Sequence, residues 1–99
     1  MADQSAYEIA KAGGRHAGLL HTYQGKSPEE IHRALRTYER QVDLHRQQLR
    51  SPERFVEAWA KKSPRTQAGL IRHWQEDLAR NQELVEIMRG ILQDRGIQP

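Results

Sequence analysis

The sequence predicts an all-α protein: a small helical domain built on a long antiparallel helical hairpin, with short N-terminal helices packed across it. Apolar residues recur every three or four positions over two long segments, which is the period of an amphipathic helix. Each of these segments begins with Ser-Pro, a pair that favours the first turn of a helix. The alternating pattern of a half-buried β-strand does not occur in the sequence.

The sequence of residues 1–26 indicates short helices that are separated by glycine. A helical segment from residue 6 to 12 is followed by Gly13 and Gly14, and a second from residue 17 to 24 is followed by Gly25. Glycine commonly ends a helix because it adopts the left-handed conformation without steric cost.

The segment 28–50 predicts the first long helix. Ser27 can cap the helix N-terminus, and Glu30 occupies the capping-box position three residues later. The residues predicted to face the core are Ile31, Leu35, Tyr38, Val42, His45 and Leu49.

The remaining chain predicts a short helix over 52–62 and a long helix over 64–95, with Gly96 at its end. Two long helices joined by a short connection run antiparallel when they bury their apolar stripes together. We therefore expect residues 1–99 to form one domain. The stripe of the last helix contains Ile71, Trp74, Leu78, Val85, Met88 and Leu92.

Composition excludes several functional classes. The chain has no cysteine, which rules out disulfides, thiolate metal sites and cysteine nucleophiles. No apolar run approaches the roughly 18 residues of a membrane span. The sequence contains neither a zinc-ligand pattern nor a P-loop nor a dinucleotide-binding fingerprint, so we expect no metal and no cofactor. The net charge of +3, carried mostly by arginine, permits contact with a polyanion.

The strongest functional signal is the segment between Ile9 and Pro28, which contains no acidic residue but four of the seven glycines. Histidines titrate near neutral pH, so His16 and His21 are candidates for general base and general acid. Backbone amides near a glycine pair, together with cationic side chains, can bind phosphate. The candidate substrate-binding residues are Gly13, Gly14, Arg15, Tyr23 and Lys26.

This set of groups is what a metal-independent ribonuclease uses to activate a 2′-hydroxyl and protonate the leaving 5′-oxygen. On a regular helix His16 and His21 would lie about 500° apart and would not share a face. Either the chain bends near Gly18 so that both act, or one histidine acts with a partner from another helix. The alternative interpretation makes the glycine pair a linker, His16 a surface residue and His21 a side chain packed on the hairpin.

Two further patterns have structural and functional interpretations. His45 lies in the predicted seam, where a hydrogen-bonded core histidine is the simpler interpretation. Arg33, Arg36 and Arg40 share one flank of their helix. They form either an ordinary solvated face or a basic track along which an RNA backbone could lie.

The run KAGGRHAGLLHTYQGKSPEEIHRALRTYERQVDLHRQQL and the closing DLARNQELVEIMRGILQDRGI resemble the small helical C-terminal toxin domains of bacterial Rhs-type and contact-dependent inhibition toxins. Several such domains are ribonucleases that cut tRNA, and some have an aromatic residue and a histidine soon after Gly-Gly. In this chain Arg15 and His16 follow the glycine pair directly. The resemblance implies a toxin delivered as part of a larger secreted protein, active in the cytoplasm and neutralised by a cognate immunity protein.

The sequence therefore predicts a toxin effector domain that acts on nucleic acid, with tRNA or another RNA as the substrate of a metal-independent ribonuclease. The alternative is a non-enzymatic helical module whose hairpin binds a protein partner.

Overall fold

A computed structural model describes residues 4–99, so the first three residues of the predicted 1–26 segment lie outside the described range. Within residues 4–99 the chain forms α-helices and short 3-10 turns, with no β-strand. The two long helices pack along each other, which confirms the all-α hairpin. The molecule is elongated, with extents of 50 × 29 × 24 Å. The helices are α1 (Ala6–Lys11), α2 (Ala17–Gln24), α3 (Pro28–Arg50) and α4 (Pro64–Asp94).

Serine side chains start three of these helices. The hydroxyls of Ser5, Ser27 and Ser63 each accept a hydrogen bond from the backbone amide three residues later, at 3.1 to 3.2 Å. These bonds satisfy amides that have no partner inside the helix. The two Ser-Pro pairs that begin α3 and α4 therefore act as the sequence predicts.

The glycine pair ends α1 in a Schellman motif. Gly13 has a φ of +89°, which only glycine adopts easily. Its amide donates to the carbonyl of Ala10 at 3.0 Å, and the amide of Gly14 donates to the carbonyl of Ile9 at 2.9 Å. The glycine pair is therefore an ordered helix end that turns the chain toward α2.

The core is deepest where α1 and α2 cover the hairpin. The largest fully buried side chains are Ile31 of α3 together with Ile87, Met88 and Leu92 of α4. Helix α1 approaches α4 closely because Gly90 has no side chain: a Cβ atom there would overlap the Tyr7 ring. A methyl group at this position would push α1 away from α4.

The seam between α3 and α4 contains polar residues whose hydrogen bonds are satisfied. Arg89 bonds Glu39 across the seam at 2.9 Å. His45 is buried, and its Nδ1 lies 2.8 Å from the side-chain oxygen of Gln48. The structure thus confirms the interpretation of His45 as a core histidine. Buried Asn81 donates to a backbone carbonyl of its own helix at 2.8 Å.

The segment 52–62, predicted as a helix, instead contains two 3-10 turns, Pro52–Arg54 and Trp59–Lys61. Ala58 separates them with a left-handed φ of 54°. The reason is geometric: an 11-residue helix would extend about 16 Å, whereas packed antiparallel helices lie only about 8–10 Å apart. Two tight turns return the chain over that short distance.

The two tryptophans meet at this connection. Trp74 is buried and Trp59 is half-buried, with ring centroids 6.0 Å apart and planes inclined by 27°. Between residues 4 and 99, no helix combines the length and the apolar character that crossing a membrane requires.

Candidate functional site

His16 occupies an unusual backbone position at the start of α2. Its φ of 69° and ψ of 15° place it in the left-handed region, where a non-glycine residue costs about 1–2 kcal/mol. The carbonyl of His16 accepts the amide of Leu20 at 2.9 Å, so the residue still begins the helix. Strain of this kind often occurs at functional sites, where surrounding contacts hold the backbone in place.

Those contacts come from Glu83 of α4. Its Oε1 lies 3.1 Å from Nε2 of His16, and its Oε2 lies 3.4 Å from a guanidinium nitrogen of Arg15. The His16 side chain is only 17% exposed, whereas the Arg15 side chain is 72% exposed. One carboxylate thus fixes an imidazole in a sheltered position and holds a cation beside it that still faces solvent.

The glycine pair does not supply a phosphate cradle. The amides of Gly13 and Gly14 are already donated to carbonyls of α1, and the carbonyl of Gly14 accepts the amide of Ala17. The prediction that the pair frees backbone amides for an anion is therefore wrong. The pair nevertheless contributes to the site by placing Arg15 and His16 against α4.

His21 lies on the exposed side of α2. Within residues 4–99 it makes no side-chain hydrogen bond, and none joins it to His16. The alternative in which His21 packs on the hairpin is therefore wrong, as is the alternative in which His16 is a simple surface residue. The two histidines therefore differ although they belong to the same short helix: the His16 ring is bonded to Glu83, whereas the His21 ring is exposed.

Tyr23 packs on the core rather than facing solvent. Its half-buried ring joins the hydrophobic cluster, as does that of Tyr38 from α3. Burial raises the pKa of the Tyr38 phenol, and the polar contact with Tyr23 raises it further, while Arg80 opposes the rise. The Tyr23 ring therefore lines the site and is not freely available to stack on a base.

Lys26 lies just beyond the C-terminal end of α2, beside α3. Its ammonium is 3.8 Å from Glu30, and it shares a surface pocket of about 340 Å³ with Tyr23 and Arg33. Arg95 fixes this end of α2 by donating to the carbonyls of Lys26 at 2.9 Å and Gln24 at 2.7 Å.

The arginine flank of α3 continues from this pocket. Arg33, Arg36 and Arg40 are exposed and line a neighbouring depression of about 370 Å³. Across the described chain, none of the three has a carboxylate within 4.0 Å. These three guanidinium groups therefore have no close ion pair with the described residues, and Glu29 lines the same depression, which fits a solvated face as well as a basic track.

Glu83 and Arg95 are the residues of the site that the sequence did not reveal. Glu83 lies beside the apolar stripe of α4 in no recognisable motif, and it is 67 positions from His16. The part of the chain that the structure describes contains no group of three or more side chains suited to hold a metal ion. Comparisons with protein-family models, with curated proteins and with solved structures found no match to this chain.

Proposed function

We propose that the protein is a toxin effector domain that cleaves RNA without a metal ion, and that His16 is its general base. The observation that carries this proposal is the pairing of a backbone-strained, sheltered histidine with a carboxylate and an exposed arginine. Strain at His16 is not needed to end α1, because Gly13 and Gly14 already do so. A functional role for the held imidazole accounts for it.

The chemistry follows from which ring nitrogen is engaged. When Nε2 of His16 donates to Glu83, Nδ1 is left as the acceptor of a neutral imidazole. Nδ1 can then take the proton from a ribose 2′-hydroxyl as its oxygen attacks the adjacent phosphorus. Glu83 stabilises the imidazolium that results, as an orienting carboxylate does in other histidine-dependent enzymes.

The remaining steps need cations to stabilise negative charge and a general acid to protonate the leaving oxygen. Arg15 can stabilise the negative charge that develops on the phosphorane. His21 is the proposed general acid, which gives its proton to the 5′-oxygen as the P–O bond breaks. The bend that this role requires lies at His16, whose left-handed backbone departs from the helical path, whereas α2 is continuous through Gly18. The products are a 2′,3′-cyclic phosphate and a free 5′-hydroxyl. Lys26 and Arg33 would bind a neighbouring phosphate of the same strand.

The resemblance to polymorphic-toxin domains supports the biological part of the proposal. In that setting the domain is delivered as the C-terminal part of a larger secreted protein and acts in the cytoplasm. A cognate immunity protein would neutralise it.

The decisive experiment measures cleavage of tRNA by purified protein in the presence of EDTA. His16→Asn is the informative variant because asparagine tolerates the left-handed conformation but cannot act as a base near neutral pH. We expect it to lose cleavage by about 10²- to 10⁴-fold while it stays folded. Glu83→Gln should lose activity by a smaller factor because the ring is still held by a hydrogen bond.

His73 provides the matched control. It also pairs with a carboxylate, Asp77 at 3.1 Å, but its side chain is 66% exposed and its helix is regular. His73→Asn should cleave like the wild type. If the wild type leaves tRNA intact and is harmless when expressed in bacteria, the ribonuclease proposal fails and the protein-binding module becomes the better interpretation.

A further inference from the structure

The net positive charge of the protein is concentrated in the connection between α3 and α4 and in the adjoining ends of these two helices. We call residues 50–72 the tip. The tip contains six Lys and Arg but only two Glu, a net charge of +4, whereas the whole chain has +3. The remaining residues therefore sum to −1. The cations of the tip are Arg50, Arg54, Lys61, Lys62, Arg65 and Arg72.

None of these six cations forms an ion pair within the described fold. All six cations are exposed, and none has a carboxylate within 4.0 Å in the described range. Outside the tip, Lys11, Arg15, Lys26 and Arg89 are paired with acids, whereas the arginine flank of α3 is unpaired like the tip. Unpaired like charges repel one another, so a cluster that is left uncompensated favours contact with an external polyanion.

An aromatic surface accompanies the charge. Phe55 is 39% exposed and is the exposed large apolar side chain of the tip. Half-buried Trp59 follows four positions later and is stacked on Trp74. Cations around aromatic rings are the combination with which proteins bind single-stranded or looped nucleic acid, because bases stack on the rings while phosphates meet the cations.

The tip is well separated from His16. Glu83 lies 19 positions after Pro64 in α4, which corresponds to about 28 Å of helix. This distance approaches one turn of a nucleic-acid duplex, about 34 Å. A tetranucleotide at His16 cannot reach Lys61 and Lys62 over this distance, whereas a structured RNA can.

We propose that the tip is a second RNA contact, so that the substrate class is structured RNA with a loop or unpaired bases beyond the cleaved strand. This inference rests on the proposed ribonuclease function and extends it. An anionic membrane fits the tip less well, because interfacial binding needs a broad apolar face and the tip exposes only Phe55.

The test compares two variants with the same change in net charge. The double variant Lys61→Gln/Lys62→Gln removes two charges from the tip. The control Arg46→Glu makes the same change of −2 on the exposed surface of α3. Binding to tRNA is measured by fluorescence anisotropy over a range of KCl concentrations, and cleavage is measured on tRNA and on a single-stranded tetranucleotide.

We expect the tip variant to bind tRNA roughly tenfold more weakly, with a salt slope lower by about two, and to cleave the tetranucleotide like the wild type. Phe55→Ser should weaken tRNA binding without changing the salt slope, because stacking is not ionic. Arg46→Glu should have a much smaller effect than the tip variant.

Two results would overturn the tip proposal alone: unchanged tRNA binding by the tip variant, or an equal loss in the tip variant and in Arg46→Glu. In either case His16-dependent cleavage would still support the ribonuclease. A wild type that cleaves neither RNA overturns the ribonuclease itself. Tip-dependent binding to vesicles of phosphatidylserine and phosphatidylcholine, without binding to tRNA, would assign the tip to a membrane instead.

Discussion

The two ends of the hairpin share one sequence pattern but differ in burial. Eight of the nine buried residues of α4 lie from Asn81 onward, where α1 and α2 cover the hairpin, and only Trp74 precedes them. Ile71 and Leu78 belong to the same apolar stripe as Val85 and Met88, yet they are only half-buried. Periodicity identifies the inner face of a helix, but a third layer decides whether that face is fully buried.

The contacts that stabilise the fold and the net positive charge therefore lie at opposite ends of the hairpin. The covered end is formed by α1, α2, the N-terminal part of α3 and residues 81–94 of α4. It holds the fully buried side chains and has His16 at its edge. The tip contains no fully buried residue and has a net charge of +4, whereas the rest of the chain sums to −1. Placing unpaired cations at the tip keeps their mutual repulsion away from the contacts that stabilise the fold.

The largest expected effect comes from removing the same side chain at each end. Ile87→Ala should reduce the free energy of unfolding by about 2–5 kcal/mol, because Ile87 is fully buried among the helices. Ile71→Ala should cost clearly less, since Ile71 is half-buried. Urea denaturation monitored by circular dichroism measures both. Equal losses would mean that the two ends are packed equally well.

A smaller effect tests how α1 is attached. Gly90→Ala should destabilise the protein by about 1–3 kcal/mol, because the added methyl group overlaps the Tyr7 ring and must displace α1. Gly69→Ala is the matched control in the same helix, where a Cβ atom would meet nothing within 4 Å. Alanine should stabilise α4 there by about 0.5–1 kcal/mol. Thermal unfolding of the two variants should therefore shift in opposite directions.

The third comparison concerns backbone strain in the tip. Ala58 has a φ of 54°, so Ala58→Gly should stabilise the protein by about 1 kcal/mol through relief of the left-handed conformation. Ala60, two residues later in the second 3-10 turn, has no such strain, and Ala60→Gly should be neutral or destabilising. Differential scanning calorimetry distinguishes the two outcomes. Destabilisation by Ala58→Gly would show that the left-handed turn is not strained.

The elements that the sequence predicted correctly are those with local signals. Ser27 and Ser63 cap α3 and α4, and Gly13 and Gly96 end their helices with positive φ, as the sequence pattern indicated. The 52–62 connection was predicted wrongly because no glycine lies near Ala58 to mark the turn. Its geometry is dictated by the distance between α3 and α4, which local propensity does not contain.

The candidate site was predictable from the sequence only where its residues give a local signal. Its exposed cations and histidines were found through composition, because the segment lacks acids. Glu83 was not found, since the contact joins residues far apart in the chain. The left-handed backbone of His16 also has no signature in the sequence, as glycines on both sides allow several turn conformations.

The smallest expected effect is a pH dependence at the covered end. Burial raises the pKa of Tyr7 from 10.0 to about 12, and the hydrogen bond that its hydroxyl donates to Asp94 contributes to the rise. A group whose pKa is higher in the folded protein stabilises the fold below its unfolded pKa. That contribution is lost as the pH rises through the folded value. Tyr7 should therefore stabilise the protein up to about pH 10 and lose this effect toward pH 12.

Tyr7→Phe tests this dependence without removing the ring that packs on Gly90. At pH 7 the variant should be less stable by under about 1 kcal/mol, because the lost hydrogen bond is exposed. Between pH 10 and 12 the difference should shrink, since the wild type must ionise Tyr7 while the variant cannot. Tyr38 and the lysines are present in both proteins, so they do not contribute to the difference. A constant difference across this range would show that folding does not raise the pKa of Tyr7, and a difference of zero would show that α1 docks on α4 through the ring alone.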